Sequence, residues 1–347
     1  MKRTQLTAFA ATALMINLTG LAYGAAKPDG MTEAKKAEVG ADKHPTKEGW
    51  SDLESATGGS NVIDQRNVNG QQDGTSTIYN LDLAGDLNYR AGQQSVSNTV
   101  TLNEAFSRTP ALPRLIKSTD QLRFVSMYRY SLAEANLFGA YGRFKATTAA
   151  FESYDERSTL TSYVRNSRDG SSWTETDKLR TKLAAGFAPQ EYKEAAGVFV
   201  SPVDGEALHA ELRAGPAAMQ TIAKDAYYVN SSKSKDGVVV LEQVADVHAV
   251  GAEAAIEVKG VLLDKKLDYT ASAEALYPLM HSPKRDGEPE LSKLVSYETI
   301  AAVRYKFNDW LGLSVQARSR RNPLIRPEAE VVKSALLTAT FKKSFLD

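Results

Sequence analysis

The chain has 347 residues, 42 basic and 42 acidic side chains and no cysteine. The balanced charge gives no electrostatic footprint for a nucleic-acid partner, and the absence of cysteine excludes thiolate metal sites, a cysteine nucleophile and disulfides. Beyond the first residues no window holds 18 consecutive apolar residues, so the sequence excludes a helical membrane protein.

The N-terminal residues have the pattern of a secretory signal peptide. Lys2 and Arg3 precede an apolar run over residues 6–21, and small residues follow it up to Ala26. We predict a signal peptide over residues 1–25, cleaved near Gly24 or Ala25. Residues 26–56 are rich in Lys, Glu, Asp, Gly and Ala, which predicts a disordered periplasmic tail. The alternative is a plug that folds into a barrel.

Residues 76–90 alternate between two kinds of side chain, as a β-strand with one apolar and one wet side does. The apolar side carries seven residues: Thr77, Tyr79, Leu81, Leu83, Gly85, Leu87 and Tyr89. In a tilted strand Tyr79 and Tyr89 stand about 25 Å apart along a membrane normal, which is the separation of the two aromatic girdles of a transmembrane barrel.

Similar segments recur down to the C-terminus and predict twelve strands, near residues 58–66, 76–90, 95–107, 119–131, 137–148, 178–187, 191–201, 241–260, 266–280, 293–307, 310–321 and 331–345. Short connections near residues 91–94, 133–136, 188–190, 263–265 and 308–309 alternate with long ones. This alternation is typical of periplasmic turns and outer loops.

The predicted fold class is therefore all-β: a closed, up-and-down, antiparallel transmembrane β-barrel of about twelve strands over residues 57–347, with long outer loops near 149–177 and 202–240. A soluble sandwich is the alternative, but its strands usually run about five or six residues, and several segments here hold their period for longer.

Aromatic residues near the predicted strand ends are expected to form the girdles. They are Tyr79, Tyr89, Tyr128, Tyr130, Tyr297, Tyr305, Phe307, Phe341 and Phe345.

The inward faces are predicted to form two walls of opposite charge. The basic wall comes from strands around 119–187 and carries Arg123, Arg129, Arg143, Lys145, Arg180 and Lys182. The largely acidic wall comes from strands around 241–307 and carries Glu253, Glu257, Asp268, Glu274 and Glu298, with Arg304 among its accompanying cations. Because a twelve-stranded barrel leaves only about 10 Å of free width, long side chains can meet across it.

Two interpretations of these walls stay open. Either they pair into a hydrogen-bonded filling, because unpaired charges in a narrow lumen are costly, or water remains between them and the transverse field selects small polar or charged solutes. The predicted function is a structural barrel or a passive narrow channel. Its constriction would be formed by Arg123, Arg129, Arg143, Arg180, Glu253, Glu257 and Glu298.

An outer-membrane lipid-modifying enzyme and a surface ligand-binding barrel are the alternatives. The nearest approach to a catalytic dyad is His281 beside Ser282, but adjacent residues on an extended chain point apart, so we predict no catalytic residue, metal site or cofactor. The predicted loop over residues 149–177 contains Phe151, Tyr154 and Trp173 among charged residues, as a self-packed loop or a ligand-binding surface does.

Two segments resemble a known group of proteins. Ser201-Pro202-Val203-Asp204-Gly205 before a long loop, and Tyr305-Lys306-Phe307-Asn308-Asp309-Trp310 near the end, resemble an uncharacterised family of bacterial outer-membrane β-barrels. The resemblance covers roughly residues 50–345 and implies the fold, but it carries no catalytic residues.

With the signal peptide, these patterns predict a monomer in the outer membrane of a Gram-negative bacterium. Its expected partners are outer-membrane lipid, lipopolysaccharide, the barrel-assembly machinery and a small polar solute.

Overall fold

A computed structural model describes residues 48–343 except 66–73, 111, 113, 133–136, 236, 284–289 and 326–328. The predicted signal peptide, most of the predicted tail, His44 and Phe345 lie outside the described residues. Within this part of the chain no helix is long and apolar enough to span a bilayer.

The described residues form sixteen strands and one 3₁₀ turn at Leu291–Leu294. The strands are β1 (Gly49–Gln65), β2 (Gly74–Ala91), β3 (Gln94–Arg108), β4 (Ile116–Ser131), β5 (Phe138–Thr148), β6 (Ser153–Asn166), β7 (Ser172–Ala184), β8 (Gln190–Asp204), β9 (His209–Ile222), β10 (Tyr227–Val229), β11 (Val238–Gln243), β12 (Val247–Leu262), β13 (Leu267–Ser282), β14 (Ser296–Lys306), β15 (Leu311–Arg321) and β16 (Glu330–Lys343).

Twelve of these strands close into an antiparallel barrel in the order β1-β2-β3-β4-β5-β8-β9-β12-β13-β14-β15-β16, with β16 returning to β1. Closure satisfies the backbone hydrogen bonds of every strand edge, which a chain crossing hydrocarbon requires. The predicted fold class, a twelve-stranded transmembrane barrel, is confirmed, and it is the fold that the family resemblance implies.

The predicted strand count is right because two errors cancel. The segment predicted as a barrel strand near 178–187 is a strand, β7, but it lies outside the barrel. Conversely β9, which lies inside the predicted loop 202–240, is a barrel strand paired with β8 and β12. The first strand also begins earlier than predicted, at Gly49, within the segment expected to be a disordered tail.

Five short connections lie at one end of the barrel, here called the near end: residues 92–93, 132–137, 205–208, 263–266 and 307–310. The opposite, far end carries the long connections. Because β9 belongs to the barrel, the turn at 205–208 replaces the predicted short turn at 188–190, which lies at the far end. His209, predicted in an outer loop, therefore lies at the near end.

The outer face of the barrel is apolar and aromatic. On β2, Tyr79, Leu81, Leu83 and Leu87 are all at least 40% exposed, whereas Asn80, Asp82 and Asp86 between them are buried. Of the predicted girdle residues, Tyr79, Tyr128, Tyr305, Phe307 and Phe341 are exposed, and Tyr89, Tyr130 and Tyr297 are half-buried. The prediction missed several exposed rings: Trp50, Phe106, Phe138, Tyr277 and Trp310.

The remaining strands form a four-stranded sheet in the order β10-β11-β6-β7, here called the accessory sheet. It is built from the two far-end connections β5–β8 and β9–β12, and its central pair, β6 and β11, is parallel. Tyr163, Val239 and Leu241 form its core. A second apolar cluster, which includes Ala188 and Val244, joins it to Ile325 of the β15–β16 connection. The sheet is therefore anchored at the far mouth of the barrel.

The backbones of β8 and β9 approach each other closely at one point. The ladder has a gap between Ala195↔Ala217 and Val198↔Ala214, and Pro216, which has no N–H, lies in this gap. Gly215 lies opposite Gly197 there. A Cβ atom at Gly215 would stand 2.7 Å from the Cα of Gly197, so this close approach requires glycine.

We predict that Gly215→Ala destabilises the barrel by about 1–3 kcal/mol, because backbone atoms of β8 would have to shift. Gly142→Ala on β5 is the matched control, since a Cβ at Gly142 meets no atom within 4 Å, and it should be neutral or slightly stabilising. Urea-induced unfolding in lipid vesicles measures both. Equal stability of the two variants would show that the close approach of β8 and β9 does not depend on glycine.

The accessory sheet is predicted to loosen in acid. Burial opposes the ionised form of Glu175, but hydrogen bonds from Thr181 (2.8 Å) and Arg165 (2.7 Å) outweigh it and hold the pKa of this carboxyl below its ordinary value of 4.5. A lowered folded-state pKa gives stability that is present above the unfolded-state pKa and is lost as the pH falls through the folded-state value.

The ring of Trp173 lies 6.1 Å from that of Tyr227 and reports on this sheet. In a Trp50→Phe, Trp310→Phe background, its fluorescence should change as the pH falls through the folded-state pKa of Glu175, which lies below the ordinary value of 4.5. Glu175→Gln should abolish that transition. The same acid transition in the Gln variant would assign it to another group.

Candidate functional site in the barrel lumen

Alternation along the barrel strands sends long charged side chains into the lumen. β4, β5 and β8 supply mostly cations, and β9, β12, β13 and β14 supply most of the carboxylates. The predicted walls thus exist, although their members differ partly from the prediction. The charged side chains pair across the lumen rather than lining an open pore.

The central cluster joins β5 and β8 to the opposite wall. Nη2 of Arg143 lies 2.9 Å from both carboxylate oxygens of Glu253, and its Nη1 lies 2.7 Å from Glu274. Nζ of Lys193 lies 2.6 Å from Glu253 and also contacts Glu274. The Glu253 side chain is fully buried, so its charge depends on these two cations.

A second cluster surrounds Glu298 on β14. Its carboxylate is 2.8 Å from Nζ of Lys145 and 3.6 Å from Nη2 of Arg123, and it also accepts a hydrogen bond from Arg318. One carboxylate is thus shared by three cations from three strands. Further towards the far end, Arg320 pairs with Glu191.

A third cluster lies towards the near end. Nη2 of Arg129 donates a hydrogen bond of 2.7 Å to Glu211, and both side chains are almost completely buried. Arg213 lies 3.3 Å from Glu211 and 4.0 Å from Glu257, which also pairs with Lys259. Mutual pairing is the condition under which such charges are tolerated away from water.

Two other predicted lumen residues take part in smaller contacts. Asp268 lies 2.7 Å from Nζ of Lys306. Arg304 donates a hydrogen bond of 2.6 Å to the hydroxyl of Thr340. The first contact joins the neighbouring strands β13 and β14, and the second joins β14 to β16, the next strand but one.

Arg180 and Lys182 were predicted to face the lumen, and this is wrong. Both belong to β7 of the accessory sheet, where Arg180 stacks 3.5 Å over the ring of Tyr154 and Lys182 lies 2.5 Å from Glu152. Their alternation with Leu179 and Leu183 is real, but β7 pairs with β6 instead of a barrel strand. Arg180 is therefore not part of a constriction.

The prediction missed several members of the site: Glu191, Lys193, Glu211, Arg213, Arg318 and Arg320. Arg318 and Arg320 lie on the same face of β15 as Gly312, Ser314 and Gln316, so alternation along β15 could have revealed them. Glu211 and Arg213 alternate with apolar residues, but the following Gly215-Pro216 gave that segment the character of a loop.

The lumen wall is not charged all round. Beside the charged clusters, an apolar strip contains Met127, Tyr141, Phe199, Met219 and Leu276, and Leu294 and Leu324 from the far-end connections pack against it. β1, β2, β3, β15 and β16 contribute mainly hydroxyl and amide groups, among them Thr57, Thr99, Asn103, Gln316 and Thr338. Asp82 and Asp86 are the buried carboxylates of β2.

Two cavities lie among the charged side chains. The first, of about 60 Å³, opens towards the far end and is lined by Lys193, Glu191 and Arg320 among others. The second, of about 50 Å³, lies between Arg123, Arg143, Arg213 and the wall at Ala255 and Ile300. Lys145, Glu274 and Glu298 line both cavities, so these three side chains form the partition between them.

The described residues contain no cluster of three or more histidine and carboxylate side chains arranged to hold a metal ion. His281 is buried whereas Ser282 is exposed, so the two side chains do not form a dyad. Nδ1 of His209 lies 3.0 Å from Asp204 beside the β8–β9 turn.

Comparison with known proteins adds only distant structural likeness. No protein-family model matches the chain, and no curated protein matches it. An outer-membrane channel from Pseudomonas putida F1 is 13% identical, with 88% of this chain and 98% of that chain covered and a TM-score of 0.42. The translocator domain of the autotransporter NalP from Neisseria meningitidis is 11% identical, with 96% and 97% covered and a TM-score of 0.40.

A FadL homologue from Pseudomonas aeruginosa is 10% identical, with 86% of this chain and 82% of that chain covered and a TM-score of 0.33. All three scores are below 0.5, so these likenesses carry no argument. The fold assignment rests on the strand order of the chain itself.

We predict that Glu253→Gln destabilises the barrel by about 3 kcal/mol, because it removes one buried carboxylate from Arg143 and Lys193 while Glu274 remains. Glu206→Gln is the control, since Glu206 pairs with Lys265 at 2.6 Å but both side chains are exposed, and exposed pairs add little stability. Urea midpoints in lipid vesicles compare the two. Matching midpoints would show that water screens the central cluster.

Proposed function

We propose that the protein is a narrow passive channel of the Gram-negative outer membrane that admits small polar or charged solutes. Its apolar outer belt suits a bilayer. The observation that carries the proposal is the pair of cavities inside the barrel, whose linings share the partition of Lys145, Glu274 and Glu298. Displacement of one side chain would join them.

Lys145 is the member of the partition best suited to move. A lysine side chain is a flexible stem with a single charged group. When Lys145 swings away, Glu298 keeps Arg123 and Arg318, and Glu274 keeps Arg143 and Lys193. No carboxylate loses all of its cations, so this opening avoids the large free-energy cost of leaving a buried carboxylate unpaired.

A purely structural barrel is the second candidate, and the number of cross-lumen ion pairs favours it. In that case the same side chains act as a filling that replaces an apolar core, and solutes do not pass. The two candidates differ in one measurable property, which is the conductance of the folded barrel.

The test is single-channel recording of the refolded, full-length protein in planar bilayers. We expect small conductance steps for the wild type and several-fold larger or more frequent openings for Lys145→Ala, because the variant shortens the partition. Lys233→Ala is the matched control, since Lys233 lies in the accessory sheet with its side chain 61% exposed, and it should behave as the wild type does.

Folding is monitored in parallel by heat-modifiable gel mobility. If wild type and Lys145→Ala are both folded and both silent, the channel is wrong and the structural barrel is retained. Larger conductance in Lys145→Ala with an unchanged control supports the channel. The same recordings on protein with and without added lipopolysaccharide test the expected partner at the outer surface.

A further inference from the structure

We infer that the cavity between Arg123, Arg143 and Arg213 is a binding site for a small monovalent anion, such as chloride or formate, and that the pore prefers anions. This inference rests on the proposed channel and names the class of solute. It follows from the charge around the cavity and from the size of the cavity.

In the lumen clusters of the described residues, cationic side chains outnumber carboxylates. The two clusters around Glu253, Glu274 and Glu298 set these three carboxylates against five cations: Arg123, Arg143, Lys145, Lys193 and Arg318. Each carboxylate is shared by at least two cations. Their summed formal charge is +2. Arg213, which also lines the cavity, belongs to the third cluster, in which Arg129, Arg213 and Lys259 pair with the two carboxylates Glu211 and Glu257.

The potential inside the cavity is therefore positive. Its lining holds Arg123, Arg143, Lys145 and Arg213 against Glu274 and Glu298. Charges in a narrow, weakly hydrated lumen interact more strongly than in bulk water, and rings of Arg and Lys select anions in pores. An entering anion gains this attraction, whereas a cation meets repulsion.

The volume of the cavity limits the size of the ion. About 50 Å³ of water-accessible space corresponds to about four water molecules, since one water needs about 10–15 Å³ of such space. A halide or a one-carbon carboxylate fits this space. Ala255 and Ile300 on the lining give no hydrogen bonds from their side chains, so the arginine and lysine groups would bind the ion.

A competing path exists on the opposite wall. Asp82 and Asp86 of β2 are buried among the hydroxyl groups of β1, β3 and β16, and a cation could follow them. The sign of ion selectivity separates the two paths, because the cavity predicts anion preference and the β2 carboxylates predict cation preference.

The first experiment measures the reversal potential of the full-length protein under a potassium chloride gradient. We expect it to lie towards the chloride equilibrium potential, and Arg123→Gln to shift it towards that of potassium. Glu298 keeps Lys145 and Arg318 in this variant, so folding should survive. Arg180→Gln is the control, because Arg180 lies on the accessory sheet outside the barrel, and it should leave the potential unchanged.

The second experiment does not need conduction. Crystals of the wild-type protein grown or soaked in sodium bromide should show an anomalous bromide peak within the cavity, and Arg123→Gln should lose or weaken it. Bromide in the cavity without any current would reject the channel but keep the anion site. Current that prefers potassium, or a cavity without bromide, would overturn the inference while leaving the channel in place.

Discussion

The structure depends on one constraint, which is that charges enclosed by a narrow barrel have to find partners inside it. Arg129 and Glu211 are almost completely buried, as is the Glu253 side chain. Each would cost several kcal/mol without a partner. Ion pairs across the lumen offset this cost, and the paired side chains also determine how much free space remains in the lumen. The same contacts that allow the barrel to fold therefore limit what can pass through it.

The pairing is distributed unevenly around the wall, and that unevenness matters for function. Charged side chains gather on the walls from β4 to β15, while β1, β2, β3 and β16 present mainly small polar groups. Carboxylates near the centre are shared between cations from different strands, so the loss of one cation leaves every carboxylate with another. A filling of this kind tolerates movement of a single side chain. The proposed channel requires this property.

At the far mouth, two long connections form an ordered structure of their own. The connections β5–β8 and β9–β12 fold into the accessory sheet, which has its own core around Tyr163 and Leu241. Arg165 lies within that core, where it pairs with Glu175 at 2.7 Å and stacks 4.9 Å over the ring of Tyr227. The sequence of the predicted loop over residues 149–177 suggested either self-packing or a ligand-binding surface. In the structure its aromatic and charged residues largely contact one another.

Alternation of apolar and polar residues along single segments predicts the barrel fold and much of the lumen lining. Because side chains of a strand point to opposite faces, the sequence indicates which residues of β2, β4, β5 and β12 face lipid and which face the lumen, and Arg143 and Glu253 follow from that rule. Alternation does not say which strand pairs with which. β7 alternates as well as a barrel strand does but pairs with β6. Gly215-Pro216 interrupts the alternation of β9, so the sequence pattern does not reveal this strand. Which strands become neighbours depends on backbone hydrogen bonds between residues far apart in the chain. Only the closed barrel therefore shows that Arg180 lies outside the lumen, that Arg213 lies inside it and that Lys145 belongs to the partition.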